Sequence, residues 1–153
     1  MRKIDFILSG KKKKLIQELN DIYGIDKLDY IMLETGREKI RGFSGSMSKD
    51  EINKMSEIAR IEIIGLYLFR EENGGLRLGL DGAHMLKGKI NKNVIEIPES
   101  EIENWMKGQD LEIKDDRKGI FIIKSGDDFF GSGILKDGKL INFIPRERRI
   151  RRS

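Results

Sequence analysis

Five arginines crowd the last nine residues of this chain: Arg146, Arg148, Arg149, Arg151 and Arg152, with Glu147 the one acid among them. A guanidinium is planar, permanently charged and weakly hydrated, so it pairs bidentately with phosphate oxygens. Each phosphate it neutralises also releases condensed counterions. The chain holds 30 basic and 26 acidic side chains, a net charge of +4, and this segment alone accounts for that excess. Residues 1–144 balance at 25 of each sign. The pattern points to a polyanion met by one end of the chain. The alternatives are a membrane-surface or protein contact and a solvated tail that only aids solubility. A second basic run, Lys11 to Lys14, opens a helical pattern and reads as a solvated face.

Other chemistries find little support. Without cysteine there is no disulfide, thiolate metal site or cysteine nucleophile. His84 is the one histidine and reads as a core or helix-end residue. The pairs Asp115-Asp116 and Asp127-Asp128 flank strands and read as turn acids rather than an acid–base couple. The glycine-rich stretch from Gly74 to His84 lacks the spacing of a nucleotide-phosphate loop, and its glycines serve turns and close packing. No hydrolase, kinase or zinc-peptidase signature appears. The longest apolar run, 61–69, is too short to cross a bilayer, and the start lacks a secretory signal pattern. A cytoplasmic protein without cofactor or metal is expected.

The elements that must position these groups follow from periodicity and breakers. Ile4, Phe6 and Leu8 alternate and predict a short strand. Leu15, Ile16, Leu19, Ile22 and Tyr23 fall at helical spacing, with Gly24 placed to stop the helix. Strands are predicted over 30–33 and 40–43. Ser48 and Glu51 match a capping box, introducing a helix with Ile52, Met55 and Ala59 on one face. Residues 61–69 predict a strand, partly buried on both faces. The stretch 71–75 is a domain boundary or a hairpin turn. Beyond it come a strand over 76–80, a helical turn over 81–86 and an extended segment over 93–97. A helix from Pro98 to Gly108 contains Trp105. Strands follow over 119–123 and over 129–135, the latter broken by Gly131 and Gly133. Asp137-Gly138 predicts a type I′ turn, and 140–144 closes the hairpin. Exposed aromatics such as Tyr67, Trp105, Phe129 or Phe143 could stack on bases, although most fall at core positions.

Four stretches between Asn93 and Arg149 carry a family resemblance. They are Trp105-Met106-Lys107-Gly108-Gln109, Lys118-Gly119 before a strand, Phe130-Gly131-Ser132-Gly133, and Leu140-Ile141-Asn142-Phe143-Ile144-Pro145-Arg146. In order and spacing they resemble the C-terminal PUA-like domain of the Fmu/Sun/RsmF-type rRNA cytosine-C5 methyltransferases. There the counterparts read aromatic-Leu-Arg-Gly-Glu, Lys-Gly-Trp, Leu-Gly-Trp-Gly and Leu-Lys-Asn-His-Tyr-Pro-Lys. Residues 68–80 also resemble the entry into the PUA domain of small two-domain ribosome-assembly proteins. The methyl-donor domain and catalytic cysteines of the methyltransferases have no match here, so the resemblance implies an RNA-binding module and not methyl transfer. The family's His-Tyr pair is Phe143-Ile144 in this chain, and its lysine is Arg146.

The expected fold is therefore α+β: a small N-terminal α/β domain over 1–70, then a PUA-like mixed β-barrel with a basic tail over 71–153. The expected role is binding rRNA or tRNA in ribosome biogenesis or RNA modification, without catalysis. Phosphate contacts are assigned to Arg146, Arg148, Arg149 and Arg151, helped by Lys136 and Lys139 across the Asp137-Gly138 hairpin. Asn142 is assigned a base or ribose hydrogen bond, and Lys87 and Lys89 a second edge of the same groove. The other expectations are an adaptor that recruits a separate RNA-modifying enzyme, with a protein partner on the N-terminal domain, and a small enzyme of unrecognised type.

Overall fold

The computed structural model describes residues 4–36, 38–72 and 75–151. Asn73, Gly74 and Arg152, named above, lie outside the described residues. Two five-stranded sheets make up the α+β fold. The first is an antiparallel meander of β1 (Asp5–Phe6), β2 (Ile31–Thr35), β3 (Lys39–Phe43), β4 (Leu66–Glu72) and β5 (Gly75–Leu78), in that order. Helix α1 (Ser9–Tyr23) covers it, because Leu15, Leu19 and Tyr23 recur every four residues and bury one stripe. Gly24 ends the helix with φ 80°, a left-handed cap that favours glycine, and its N–H donates to Asn20 O at 2.9 Å. The Tyr23 hydroxyl donates to the Leu76 carbonyl and pins the helix to β5.

Helix α2 (Lys49–Ile58) begins at the capping box. Ser48 Oγ accepts from Glu51 N at 3.2 Å, and Ser48 N donates to Glu51 Oε2 at 2.6 Å. Of the face expected to be buried, Ile52 is buried while Met55 and Ala59 are exposed. The strand predicted over 61–69 starts only at Leu66. Gly65, at φ 71°, turns the chain where its backbone presses on the Gly42 carbonyl, so no ladder forms before it. Arg41 instead donates to the carbonyl oxygens of Ile64 and Gly65 at 3.1 and 2.8 Å. Ile63 is left 72% exposed.

The first sheet runs on past residue 70. β5 pairs with β4 in the register Glu72↔Gly75, so Glu71, Glu72 and Gly75 belong to paired strands of one sheet. Helix α3 (Leu80–Met85) follows β5 and lies against β4. The approach is so close that a Cβ on Gly82 would collide with the Leu68 carbonyl. His84 is exposed in the last turn of α3.

The second sheet has the order β6-β8-β9-β10-β7 and curls into a half-barrel. β6 (Val94–Glu96) runs parallel to β8 (Gly119–Ser125). β9 (Asp128–Lys136), β10 (Lys139–Asn142) and β7 (Leu111–Glu112) add antiparallel pairs. Gly131 and Gly133 do not break β9: Gly133 gives room to Trp105 and Ile141, and the irregularity is a register shift at Ile122/Lys124. Asp137 and Gly138 both have positive φ (52° and 75°), as a type I′ turn requires. Helix α4 (Glu99–Met106) inserts Trp105, fully buried, among Ile95, Ile97, Phe121, Leu135 and Leu140. Its indole N–H donates to Phe130 O at 2.8 Å, satisfying the polar edge of a buried aromatic. Ile122 and Phe129 of the second sheet join the core of the first, so the two sheets are packed as one body along β5, α3 and β9.

Candidate nucleic-acid interface

The arginine tail is partly built into the fold. A 3-10 turn, Arg146–Arg148, leads the chain back over α3 and α4. Arg148 forms a fork with Asp81 at 2.8 and 3.0 Å. Hydrogen bonds from that guanidinium hold the Asp81 carboxyl below the usual carboxylate range and raise Arg148 in turn. Arg149 is half-buried: its Nε donates to Ile144 O at 2.9 Å, and its side chain lies where a Cβ on Gly108 would sit. Ile150 N donates to Met106 O at 2.9 Å. Arg146 and Arg151 are exposed. Of the four tail arginines assigned to phosphate, these two are thus held by none of the bonds that anchor Arg148 and Arg149.

Asn142, assigned to a base or ribose, has its amide committed inside the protein. Its Nδ2 donates to Trp105 O at 2.7 Å and Gln109 O at 3.1 Å, and its Oδ1 accepts from Ile144 N at 2.7 Å. It is buried and ties the C-terminal end of α4 to the end of β10. The reason is the orphan carbonyls that every helix leaves at its C-terminus, here satisfied by a side chain from a strand. A base contact by Asn142 would require those bonds to break.

The lysines do not share one groove. Lys136 and Lys139 face each other across the hairpin, both exposed. Lys87 stands 3.8 Å from Asp128, at the opposite end of β9. Eight residue steps of strand separate Asp128 from Lys136, about 26 Å at ~3.3 Å per residue. Lys89 turns away to the first sheet's side, donating to Lys27 O at 2.7 Å. Lys87 and Lys89 therefore cannot edge the groove that Lys136 and Lys139 would border.

A different basic cluster lies between the sheets. Lys39, Arg70 and Arg77 stand side by side on β3, β4 and β5, paired Lys39↔Arg70 and Arg70↔Arg77. They line a cleft of ≈ 280 Å³ with Tyr67, Phe143 and Pro145. The Arg77 guanidinium lies 4.1 Å from the Phe143 ring centre, and the Lys39 ammonium lies 5.7 Å from that of Tyr67. Arg77 also meets Glu72 at 3.0 Å. Burial and the absence of a side chain at Gly79 let the Tyr67 ring lie against the backbone there, and desolvation raises its hydroxyl pKa. None of Lys39, Arg70 and Arg77 was singled out in the sequence. The Asn73-Gly74 dipeptide could have revealed two of them, since a two-residue turn there sets 70 opposite 77.

Comparison with known proteins defines the class of the second half: residues 92–150 are a PUA-like domain. They match the family described as the methyltransferase RsmF PUA domain. PUA domains as a class bind RNA rather than catalyse, and that is the coarse role the match supports. A crystal structure of hypothetical protein PH0734.1 from the hyperthermophilic archaeon Pyrococcus horikoshii OT3 shares the fold, with TM-score 0.55 at 9% identity, over 86% of this chain and 81% of that one. No curated protein matches the sequence. Among the described residues, no helix is long and apolar enough to cross a membrane, and no group of three His, Asp or Glu side chains could hold a metal ion.

Proposed function

We propose that this protein binds structured RNA, rRNA or tRNA, during ribosome biogenesis or RNA modification in the cytoplasm, without catalysing a reaction. The observation that carries this reading is the match of residues 92–150 to the methyltransferase RsmF PUA domain. In this reading residues 71–153 carry the RNA. The exposed Arg146 and Arg151 and the hairpin lysines Lys136 and Lys139 supply phosphate contacts. Arg148 contributes through the face its ion pair leaves open, while Arg149 sets the path of the tail.

A second reading has its own support. Ile58 (87% exposed) and Ile63 border adjoining clefts on the first sheet's side that Ile4 and Ile61 also line, and exposed apolar surface of this kind is often an interaction site. It fits an adaptor whose N-terminal unit holds a protein partner. The discriminating experiment is binding of the full chain to an rRNA hairpin and to a DNA duplex of the same sequence. RNA preference supports the first reading; its absence turns the assignment to the adaptor.

A further inference from the structure

We propose that the cleft between the two sheets is a pocket for one unpaired nucleotide of a bound RNA, its phosphate on Lys39 and Arg70 and its base against Tyr67, Phe143 and Pro145. The inference rests on the RNA-binding reading. It goes beyond it by bringing the N-terminal sheet into the site and by naming what is recognised.

The first reason is charge placed against stability. Three cations stand directly opposite one another on adjacent strands, Lys39↔Arg70↔Arg77. Like charges so paired repel and weaken a sheet. Glu72 relieves Arg77 at 3.0 Å but reaches Arg70 only at 3.8 Å. The Nε of Arg70 is buried and has no hydrogen-bond partner among the described residues. A buried guanidinium nitrogen without a hydrogen-bond partner is costly, and Arg70 lines the cleft, where a bound anion would offset its charge.

The second reason is the aromatic lining. Tyr67, Phe143 and Pro145 give the cleft flat apolar sides next to its cations. Single-stranded RNA is recognised by that combination, with splayed bases stacked on aromatic rings or guanidinium planes while the backbone meets positive charge. A paired base cannot enter, because its faces are stacked within the helix. Glu147 also lines the cleft and repels phosphate, so the anion is left to the cations Lys39 and Arg70. The cleft's ≈ 280 Å³ suits one nucleotide rather than a strand.

The test uses two RNA hairpins that differ only by one bulged adenosine in the stem, titrated against the full chain by fluorescence anisotropy. The bulged hairpin should bind about tenfold tighter, the order expected from one stacked base. Lys39→Gln and Arg70→Gln should each bring the two hairpins to within about twofold, with the paired hairpin's affinity falling less than about threefold, since only one phosphate contact is lost. Lys39 is exposed, so its variant retains the fold even if the Arg70 variant does not. Equal binding of the two hairpins by the unaltered chain, or a preference that survives both substitutions, overturns the pocket and leaves the RNA-binding reading standing. Failure to bind either hairpin overturns both.

Discussion

At the scale of single residues, the position that reads most readily as a contact is a clamp. Asn142 sits beside an arginine run, and in the sequence nothing separates a base-reading asparagine from a structural one. Its partners, Trp105 O and Gln109 O, lie 37 and 33 residues away, so its role depends on a helix end the local sequence does not reveal. Asn142→Ala should destabilise the protein by about 1–3 kcal/mol, through buried carbonyls left unpaired, in urea unfolding. RNA affinity of the folded fraction should be unchanged; lost affinity with unchanged stability would return Asn142 to the interface. Arg148 makes the opposite point, since its arginine character was legible and its partner was not. Asp81 has a folded pKa below its unfolded value, chiefly through hydrogen bonds from Arg148. Its contribution is therefore present above the unfolded carboxylate pKa of about 3.9 and is lost as pH falls through the lower folded value. Asp81→Asn should remove that part of the acid-side loss and cost about 0.2–1 kcal/mol at neutral pH, since the pair is partly exposed. By freeing Arg148 it should also strengthen RNA binding; both effects are read by pH-dependent denaturation and anisotropy.

Among the elements, those with a local terminator were legible. Gly24 and Gly108 stop α1 and α4, Ser48 and Glu51 start α2, and Asp137-Gly138 turns the last hairpin. The failures have tertiary causes. The apolar run from Ile61 reads as a buried strand, yet Gly65 bends it against Gly42 and leaves Ile63 in solvent. The row of cations was legible only in part. Arg70 and Arg77 are related by one hairpin, whereas Lys39 joins them through a β3–β4 pairing that spans α2 and a register shift. The packing of α3 on β4 gives the sharpest element-scale prediction. Gly82→Ala drives a methyl into the Leu68 carbonyl, so α3 must lift from the sheet. A loss on the order of 1–3 kcal/mol is expected in denaturant unfolding, as for overpacked cores. A change below about 0.5 kcal/mol, the scatter of neutral surface substitutions, would show that α3 is not held there.

For the whole molecule, the two sheets are not beads on a string. Ile122 and Phe129 complete the first core, Ser132 Oγ donates to Leu78 O at 2.7 Å, and Arg148 reaches Asp81. The junction so formed carries the cleft and the start of the tail, which places the basic groups of both halves on neighbouring surface. The family resemblance located the PUA-like module from a few glycine and aromatic positions. It could not show that the module shares its core with the preceding sheet. Because Arg149 and Ile150 are bonded into the fold, the tail is better tested by substitution than by truncation. The most direct measurement is the affinity of the full chain, and of the Arg146→Ser/Arg151→Ser variant, for an rRNA hairpin and a matched DNA duplex across salt. The account predicts tighter binding to RNA, affinity that falls linearly on a logarithmic salt scale, and a shallower slope by about 1–2 charges in the variant. Equal, weak binding to RNA and DNA at physiological salt, with no change of slope in the variant, would contradict it.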